Sequence, residues 1–126
     1  MTGAETILLV EDEEVVRKLA RNVLASRGYT VLEAPGGIAA LSLCEKHAGR
    51  IDLVIVDVMM PGMTGRELAA RLNDRLPNVR ILFVSGYAED DVLQKGSSEP
   101  GSPFLSKPYS PAHLLGKVRS VLDARA

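Results

Sequence analysis

Carboxylates follow two short apolar runs that the sequence predicts to be buried strands. Glu11 and Asp12 come directly after the run at 6–10, and Asp57 lies near the end of the run at 53–58. In an open, doubly wound sheet the first and third strands are neighbours, and ligands bind at the carboxyl ends of the strands. Three converging carboxylates repel one another, and a divalent cation relieves that repulsion. Carboxylates with water molecules suit Mg²⁺, so we expect a magnesium site at this edge.

Two further polar residues follow predicted strands at the same edge. Ser85 ends a run at 80–85, and Lys107 comes just after a short run at 103–105. Taken singly, a serine after a strand is usually a turn residue and a lysine is usually solvated. Together with the carboxylates they provide what transfer of a phosphoryl group onto a carboxylate requires, since that reaction depends mainly on positioning and charge neutralisation. Aspartate is a known covalent nucleophile in such chemistry.

Short β-prone runs alternate with stretches of helical periodicity along the chain. The predicted strands are 6–10, 30–33, 53–58, 80–85 and 103–105, and the predicted helices are 13–27, 38–47, 66–76, 88–95 and a last one that follows Ser110. This alternation predicts an α/β fold with a doubly wound, five-stranded parallel sheet and five helices. The fourth helix, at 88–95, should be short or frayed because its main apolar residues are Val92 and Leu93.

Composition excludes several classes of function. The chain has 126 residues, which predicts a single domain over 1–126, and its net charge of −1 disfavours nucleic-acid binding. Cys44 is the one cysteine, so an internal disulfide framework and a Cys-rich metal site are excluded. The apolar runs are far shorter than the roughly 18 residues of a membrane span. No secretory leader is visible, so we expect a cytoplasmic protein.

Four segments carry a resemblance to a known family. The segments LLVEDEE (8–14), DLVIVDVMMPGMTG (52–65), ILFVSGYAE (81–89) and FLSKPYSPAHLLGKV (104–118) resemble the receiver domain of two-component response regulators. They cover most of the chain in the family's order and spacing, and they look most like receivers attached to hybrid sensor histidine kinases. The resemblance implies a flavodoxin-like sheet with strand order 2-1-3-4-5.

The resemblance also implies a role for each residue of the predicted site. Asp57 would accept the phosphoryl group, with Mg²⁺ as cofactor and Lys107 in contact with the phosphoryl oxygens. The expected metal-site residues are Glu11, Asp12, Asp57 and the backbone carbonyl of Met59. Ser85 would hydrogen-bond the phosphate and Phe104 would be the switch aromatic, whereas Tyr109 would be a packing residue.

The expected partner is a histidine kinase or a histidine phosphotransfer domain, and the domain itself is expected to be no enzyme beyond its own phosphorylation. Part of the first helix, with Val15, Lys18, Leu19 and Asn22, is a candidate docking face. We expect a monomer or a weak dimer, with no nucleic-acid or membrane partner. Met59 and Tyr87 would flank the path of an attacking water, which predicts slow loss of the phosphate.

Three other functions share parts of this pattern. A flavodoxin-like mononucleotide binder would need a Ser-, Thr- or Gly-rich loop after the first strand, where this chain has EDEE. An aspartate-based phosphohydrolase usually has its nucleophile near the first strand, whereas Asp57 follows the third. A pseudo-receiver, which binds partners without being phosphorylated, remains open at this stage.

Overall fold

The structure is a computed structural model, and it describes residues 5–47, 49–86 and 103–124. Strands and helices alternate as the sequence predicts as far as residue 86, where the second gap in the described ranges begins. The elements are β1 (Thr6–Val10), α1 (Glu14–Ala25), β2 (Thr30–Ala34), α2 (Gly37–Lys46), β3 (Leu53–Asp57), α3 (Gly65–Arg75), β4 (Arg80–Gly86), β5 (Phe104–Lys107) and α4 (Pro111–Asp123).

The five strands form one parallel sheet in the order β2-β1-β3-β4-β5. The predicted fold class and strand order are therefore confirmed. Val10 pairs with Val56, which places the residues that follow β1 beside the end of β3. On the edge strand β5, Lys107 pairs with Gly86 of β4. Because all the pairings are parallel, the carboxyl ends of the five strands lie together at one end of the sheet.

Alternation along the strands produces one apolar layer on each face of the sheet. Leu8, Val54 and Val56 pack with buried residues of α2 and α3. Ile7, Leu9, Leu53 and Ile55 face the other way and pack with buried residues of α1 and α4. The continuous apolar sequence of β1 and β3 follows from this arrangement, because both faces of these strands are covered by helices.

Local sequence signals fix the starts of two helices. Thr64 accepts a hydrogen bond from the Glu67 amide at 3.1 Å, and the Glu67 carboxylate accepts one from the Thr64 amide at 2.9 Å. This reciprocal pair satisfies two amides that a helix terminus otherwise leaves unpaired. At α4 the Ser110 hydroxyl accepts from the His113 amide at 3.0 Å, and Pro111 occupies the first helical position.

Two predictions about local structure need correction. The fifth strand is Phe104–Lys107 rather than 103–105, so Lys107 belongs to the strand, where its pairing with Gly86 extends the ladder. The third strand ends at Asp57, one residue before the predicted end at Val58.

Two expectations lie outside the described residues. The predicted helix at 88–95 is one of them, and the predicted role of Tyr87 in protecting the phosphate is the other. Four helices are found in the described part of the chain, the last of them at its C-terminal end.

The start of α3 packs directly against the end of β3. A methyl group at Gly65 would meet the main-chain carbonyl oxygen of Asp57 and would lie 2.9 Å from the Cα of Val58. Gly116, in the middle of α4, is exposed and has no such neighbour within 4 Å. Only the first of these two helix glycines is therefore required by close packing.

Two alanine substitutions test this difference. We expect Gly65→Ala to lower the free energy of unfolding by about 1–3 kcal/mol, because backbone must move to accept the methyl group. Gly116→Ala should raise it by about 0.5–1 kcal/mol, because alanine is the better helix former at an open position. Urea unfolding followed by circular dichroism measures both. Equal effects of the two substitutions would contradict the packing of α3 against β3.

Candidate functional site

Three carboxylates converge where β1 and β3 end side by side. One oxygen each from Glu11, Asp12 and Asp57 lie within 4.8 Å of one another. Glu11 and Asp57 are buried, whereas Asp12 is exposed. The adjacency of β1 and β3 in the sheet produces this cluster, because Val10 and Val56 are paired one residue before the acids begin. The predicted convergence is therefore present in the structure.

Lys107 supplies the positive charge at the centre of the cluster. Its Nζ lies 2.9 Å from Asp57 Oδ2 and 3.0 Å from Glu11 Oε1, and it is 3.9 Å from Glu13 Oε1. The side chains of Glu11 and Asp57 are 5% and 8% exposed, so the two short ion pairs are screened little by water. The lysine therefore joins the end of β5 to the ends of β1 and β3.

Burial and the paired charges shift two pKa values in the cluster. Burial raises the pKa of Glu11 to about 7; the hydrogen bond from Lys107 opposes this change and the nearby charge of Asp57 adds to it. Burial alone would lower the pKa of Lys107, but its hydrogen bonds to Asp57 and Glu11 outweigh burial and raise it. Lys107 thus stays an ammonium at neutral pH, whereas Glu11 is protonated more readily than an ordinary glutamate.

The loop after β3 holds the second oxygen of Asp57. The Met59 amide donates to Asp57 Oδ1 at 3.0 Å, while the Val58 amide donates to the Val84 carbonyl at 2.9 Å and ties the loop to β4. Met59 therefore contacts Asp57 through its backbone amide, whereas the predicted contribution to the metal site is its carbonyl oxygen. Its side chain is 56% exposed.

Ser85 and Phe104 lie on the two strands beyond β3. Ser85 is 1% exposed, and its hydroxyl has no hydrogen-bond partner among the described residues. A buried hydroxyl without a partner is costly, so one at a site edge suggests a ligand that completes it. Phe104 pairs in register with Phe83 and packs, partly buried, against the layer that contains α2 and α3.

A groove opens from the acidic cluster between α1 and α4. Its volume is about 650 Å³, and its walls include the side chains of Val16, Leu19 and Val23 of α1 and of Pro111 and Leu114 of α4. Asp57 and Lys107 lie at one end of it. The reactive end of the site is therefore continuous with a mostly apolar surface.

A sequence model of the family described as "Response regulator receiver domain" matches residues 7–119. The chain belongs to the response regulator receiver family. The resemblance stated from the sequence is thus confirmed, and so is its function as a phosphoacceptor module of two-component signalling.

Two curated relatives illustrate the range of proteins that contain this receiver. "Sensor kinase CckA" of Brucella abortus is 42% identical over 123 residues, which are 98% of this chain and 13% of that protein. "Sporulation initiation phosphotransferase F" of Bacillus subtilis is 30% identical over 122 residues, 97% of each chain. The receiver thus spans a small part of the first relative and nearly all of the second.

Solved structures agree with these matches. The receiver domain of the hybrid histidine kinase CckA is 38% identical, with a TM-score of 0.79 over 94% of this chain and 99% of that one. Chemotaxis protein CheY4 of Vibrio cholerae is 30% identical, with a TM-score of 0.80 over 94% and 99%. The predicted likeness to receivers of hybrid kinases is confirmed.

The donor set of the receiver fits a hard divalent cation. The oxygen atoms of Glu11, Asp12 and Asp57 are the ligand type that Mg²⁺ prefers, and their net charge exceeds what Lys107 alone neutralises. The exposed position of Asp12 leaves room for the water molecules that Mg²⁺ retains. Receiver domains generally depend on Mg²⁺, and this acidic cluster is suited to hold it.

Two contacts of the site were not predicted from the sequence. Glu13 approaches Lys107, and its position directly after the two predicted acids was the available signal. Arg17 donates from Nη1 to the main-chain carbonyl of Glu11 at 3.0 Å. No sequence pattern marks this contact, because its acceptor is a backbone atom.

Among the described residues no helix is long and apolar enough to cross a membrane.

Proposed function

We propose that Asp57 of this receiver accepts a phosphoryl group from a phosphohistidine in a Mg²⁺-dependent reaction. The observation that supports this most directly is the contact of Asp57 with Lys107 inside a cluster of carboxylates of the type that Mg²⁺ prefers. Residues 1–126 would form one receiver domain, which is consistent with the match over 7–119. The oligomeric state stays a prediction.

In the proposed reaction one carboxylate oxygen of Asp57 attacks phosphorus. An oxygen–phosphorus bond forms, the nitrogen–phosphorus bond of the phosphohistidine breaks, and the imidazole leaves with the electron pair. Lys107, already 2.9 Å from Asp57, neutralises charge on the transferring oxygens. Asp12, Asp57 and the Met59 carbonyl would hold Mg²⁺, with Glu11 orienting a metal-bound water, and the ion would supply further positive charge for the transfer.

The loop after β1 argues against the mononucleotide alternative. Glu11, Asp12 and Glu13 place negative charge where a phosphate of a nucleotide would have to lie, and Lys107, the cation that contacts the side chain of Glu11, is already paired with two carboxylates. A pseudo-receiver, in contrast, has no need for the Lys107–Asp57 contact. The geometry therefore favours a receiver that is phosphorylated.

Asparagine at the acceptor position tests the assignment. Incubation with acetyl phosphate and Mg²⁺ should add one phosphoryl group to the native chain, and Asp57→Asn should abolish the addition, because an amide is a poor nucleophile. Intact-mass spectrometry measures the product. Asp52→Asn, at an exposed aspartate that precedes β3, is the matched control and should be labelled normally. Stoichiometric labelling of Asp57→Asn would reject Asp57 as the acceptor.

Ser85 and Phe104 are proposed to convert phosphorylation into a change of surface. The unpartnered hydroxyl of Ser85 would hydrogen-bond a phosphoryl oxygen, and its movement would leave space for the half-buried ring of Phe104 to turn inward. Phosphorylation would thus shift the balance between two conformations of this surface through a local change of charge. The Ser85 hydroxyl makes no hydrogen bond to the described residues, so its removal would leave the ion pairs of Lys107 in place.

We expect Ser85→Ala and Phe104→Ala to be labelled by acetyl phosphate but to respond less to the label. The response is measured as amide chemical-shift changes on adding beryllofluoride and Mg²⁺. Phe104→Tyr, which keeps an aromatic ring, is the control and should respond fully. An undiminished response of Phe104→Ala assigns Phe104 to the core alone.

The exposed part of α1 is the proposed docking face for the phosphohistidine donor, a histidine kinase or histidine phosphotransfer domain. Val15 and Leu19 are large apolar side chains with 72% and 62% exposure, and Leu19 also lines the groove that ends at Asp57. Lys18 and Asn22 would border this apolar patch. Apolar area next to the acceptor is what a helical donor needs to bring its histidine into reach.

A charge introduced on this face separates docking from chemistry. Leu19→Glu should slow transfer from a phosphohistidine protein at least roughly tenfold, because the glutamate would be desolvated at the interface. Labelling by acetyl phosphate should change little. Ile38→Glu, on α2 and 81% exposed, is the matched control for adding a charge at an exposed apolar position. Equal slowing by the two substitutions would place the donor elsewhere.

A further inference from the structure

One arginine of α1 links three parts of the fold beside the acidic site. Arg17 Nε lies 3.1 Å from Glu33 Oε1 on β2, and Arg17 Nη1 donates to the Glu11 carbonyl at 3.0 Å. The side chain is only 13% exposed although it is charged. A guanidinium makes both contacts at once because its donors are fixed in a planar fork, which a lysine lacks.

These contacts complete the anchoring of Glu11. Its amide donates to the Ala34 carbonyl at 3.0 Å, its carbonyl accepts from Arg17, and its side-chain oxygens meet Lys107 at 3.0 Å and the Glu13 amide at 3.2 Å. The backbone hydrogen bonds fix the peptide planes on both sides of this residue. The second of these planes also carries the amide of Asp12.

Asp12 depends on this anchoring more than the other acids do. Its carboxylate is exposed and accepts no hydrogen bond from the described part of the chain. Glu11 and Asp57, in contrast, are both held by Lys107. The position of the Asp12 carboxylate beside them is therefore set by its main chain, and the Glu11–Asp12 peptide is the part of that main chain that Arg17 holds.

Glu33 fixes Arg17 in turn. Its carboxylate also contacts Lys18 at 3.2 Å and Arg21 at 3.4 Å, so three cations of α1 share one acidic residue of β2. Burial opposes ionisation of Glu33, but the hydrogen bonds from Arg17 and Lys18 outweigh it and lower its pKa. Arg21 carries the same charge as Arg17 and also contacts Glu33, but its side chain is 46% exposed. The hydrogen bond to the Glu11 carbonyl is made by Arg17.

We propose that Arg17 is a positioning residue of the cation site: it holds the Glu11–Asp12 peptide so that both carboxylates face Asp57. The proposal rests on the cation site of the proposed function and adds a residue outside the expected ligand set. A residue that orients ligands in this way typically changes metal affinity by roughly 10–100-fold when it is removed. Arg17 itself touches neither the acceptor nor the transferring group.

The test compares Arg17→Gln and Arg17→Lys with the matched control Arg21→Gln, which also removes a cation from Glu33. Mg²⁺ affinity is measured by calorimetric titration at a temperature where urea unfolding shows each variant to be folded. We expect roughly tenfold weaker binding for Arg17→Gln, an intermediate value for Arg17→Lys, which can keep one of the two contacts, and a native value for Arg21→Gln.

A second measurement requires no metal. The Glu11 carbonyl shares its peptide with the Asp12 amide, so the amide resonance of Asp12 in the metal-free protein should shift in Arg17→Gln and stay in place in Arg21→Gln. If the native chain binds Mg²⁺ and Arg17→Gln binds it within about twofold of Arg21→Gln, the positioning role is wrong while the proposed function stands. An unmoved Asp12 amide in Arg17→Gln also overturns the positioning role. If the native chain itself does not bind Mg²⁺, the cation site of the proposed function fails first.

Discussion

The pairing of one lysine with two buried carboxylates is the interaction on which the site depends. Glu11 and Asp57 are brought together because β1 and β3 are neighbours, and both are almost fully buried. Such a pair is unfavourable unless a positive charge accompanies it. Lys107 supplies this charge from the edge strand, so the sheet order, the burial and the charge balance of the site are consequences of one arrangement.

The same arrangement explains why the site can respond to a ligand. Lys107 is held by carboxylates that a bound cation would also contact, and the Ser85 hydroxyl has no partner among the described residues. Charged groups and hydrogen-bond donors that are only partly satisfied can exchange their present contacts for more favourable contacts with a bound anion and cation. The exposed apolar part of α1 lies beside this region rather than across the molecule from it. The proposed docking face and the acidic cluster thus share one edge of the fold.

Much of the fold and of the acidic cluster was predictable from the sequence. The continuous apolar runs that precede Glu11 and Asp57 identify buried parallel strands, and strand ends in such a sheet lie on one edge. The remaining features depend on three-dimensional packing. The apolar positions of α1 are visible in the sequence, but how the helix packs on the sheet decides that Ala20 and Leu24 are buried and that Val15 and Leu19 stay exposed. The contact between Arg17 and the Glu11 carbonyl has a backbone acceptor, which residue types alone do not reveal.

The position of Lys107 on the final strand has a consequence for biosynthesis. Glu11, Asp12 and Asp57 leave the ribosome first, and their counter-charge follows fifty residues after Asp57. A nascent chain that has completed β3 but not β5 therefore carries its clustered acids without the ammonium that later joins them. Until that strand emerges, the carboxylates of Glu11 and Asp57 lack the ion pairs that Lys107 later makes with them.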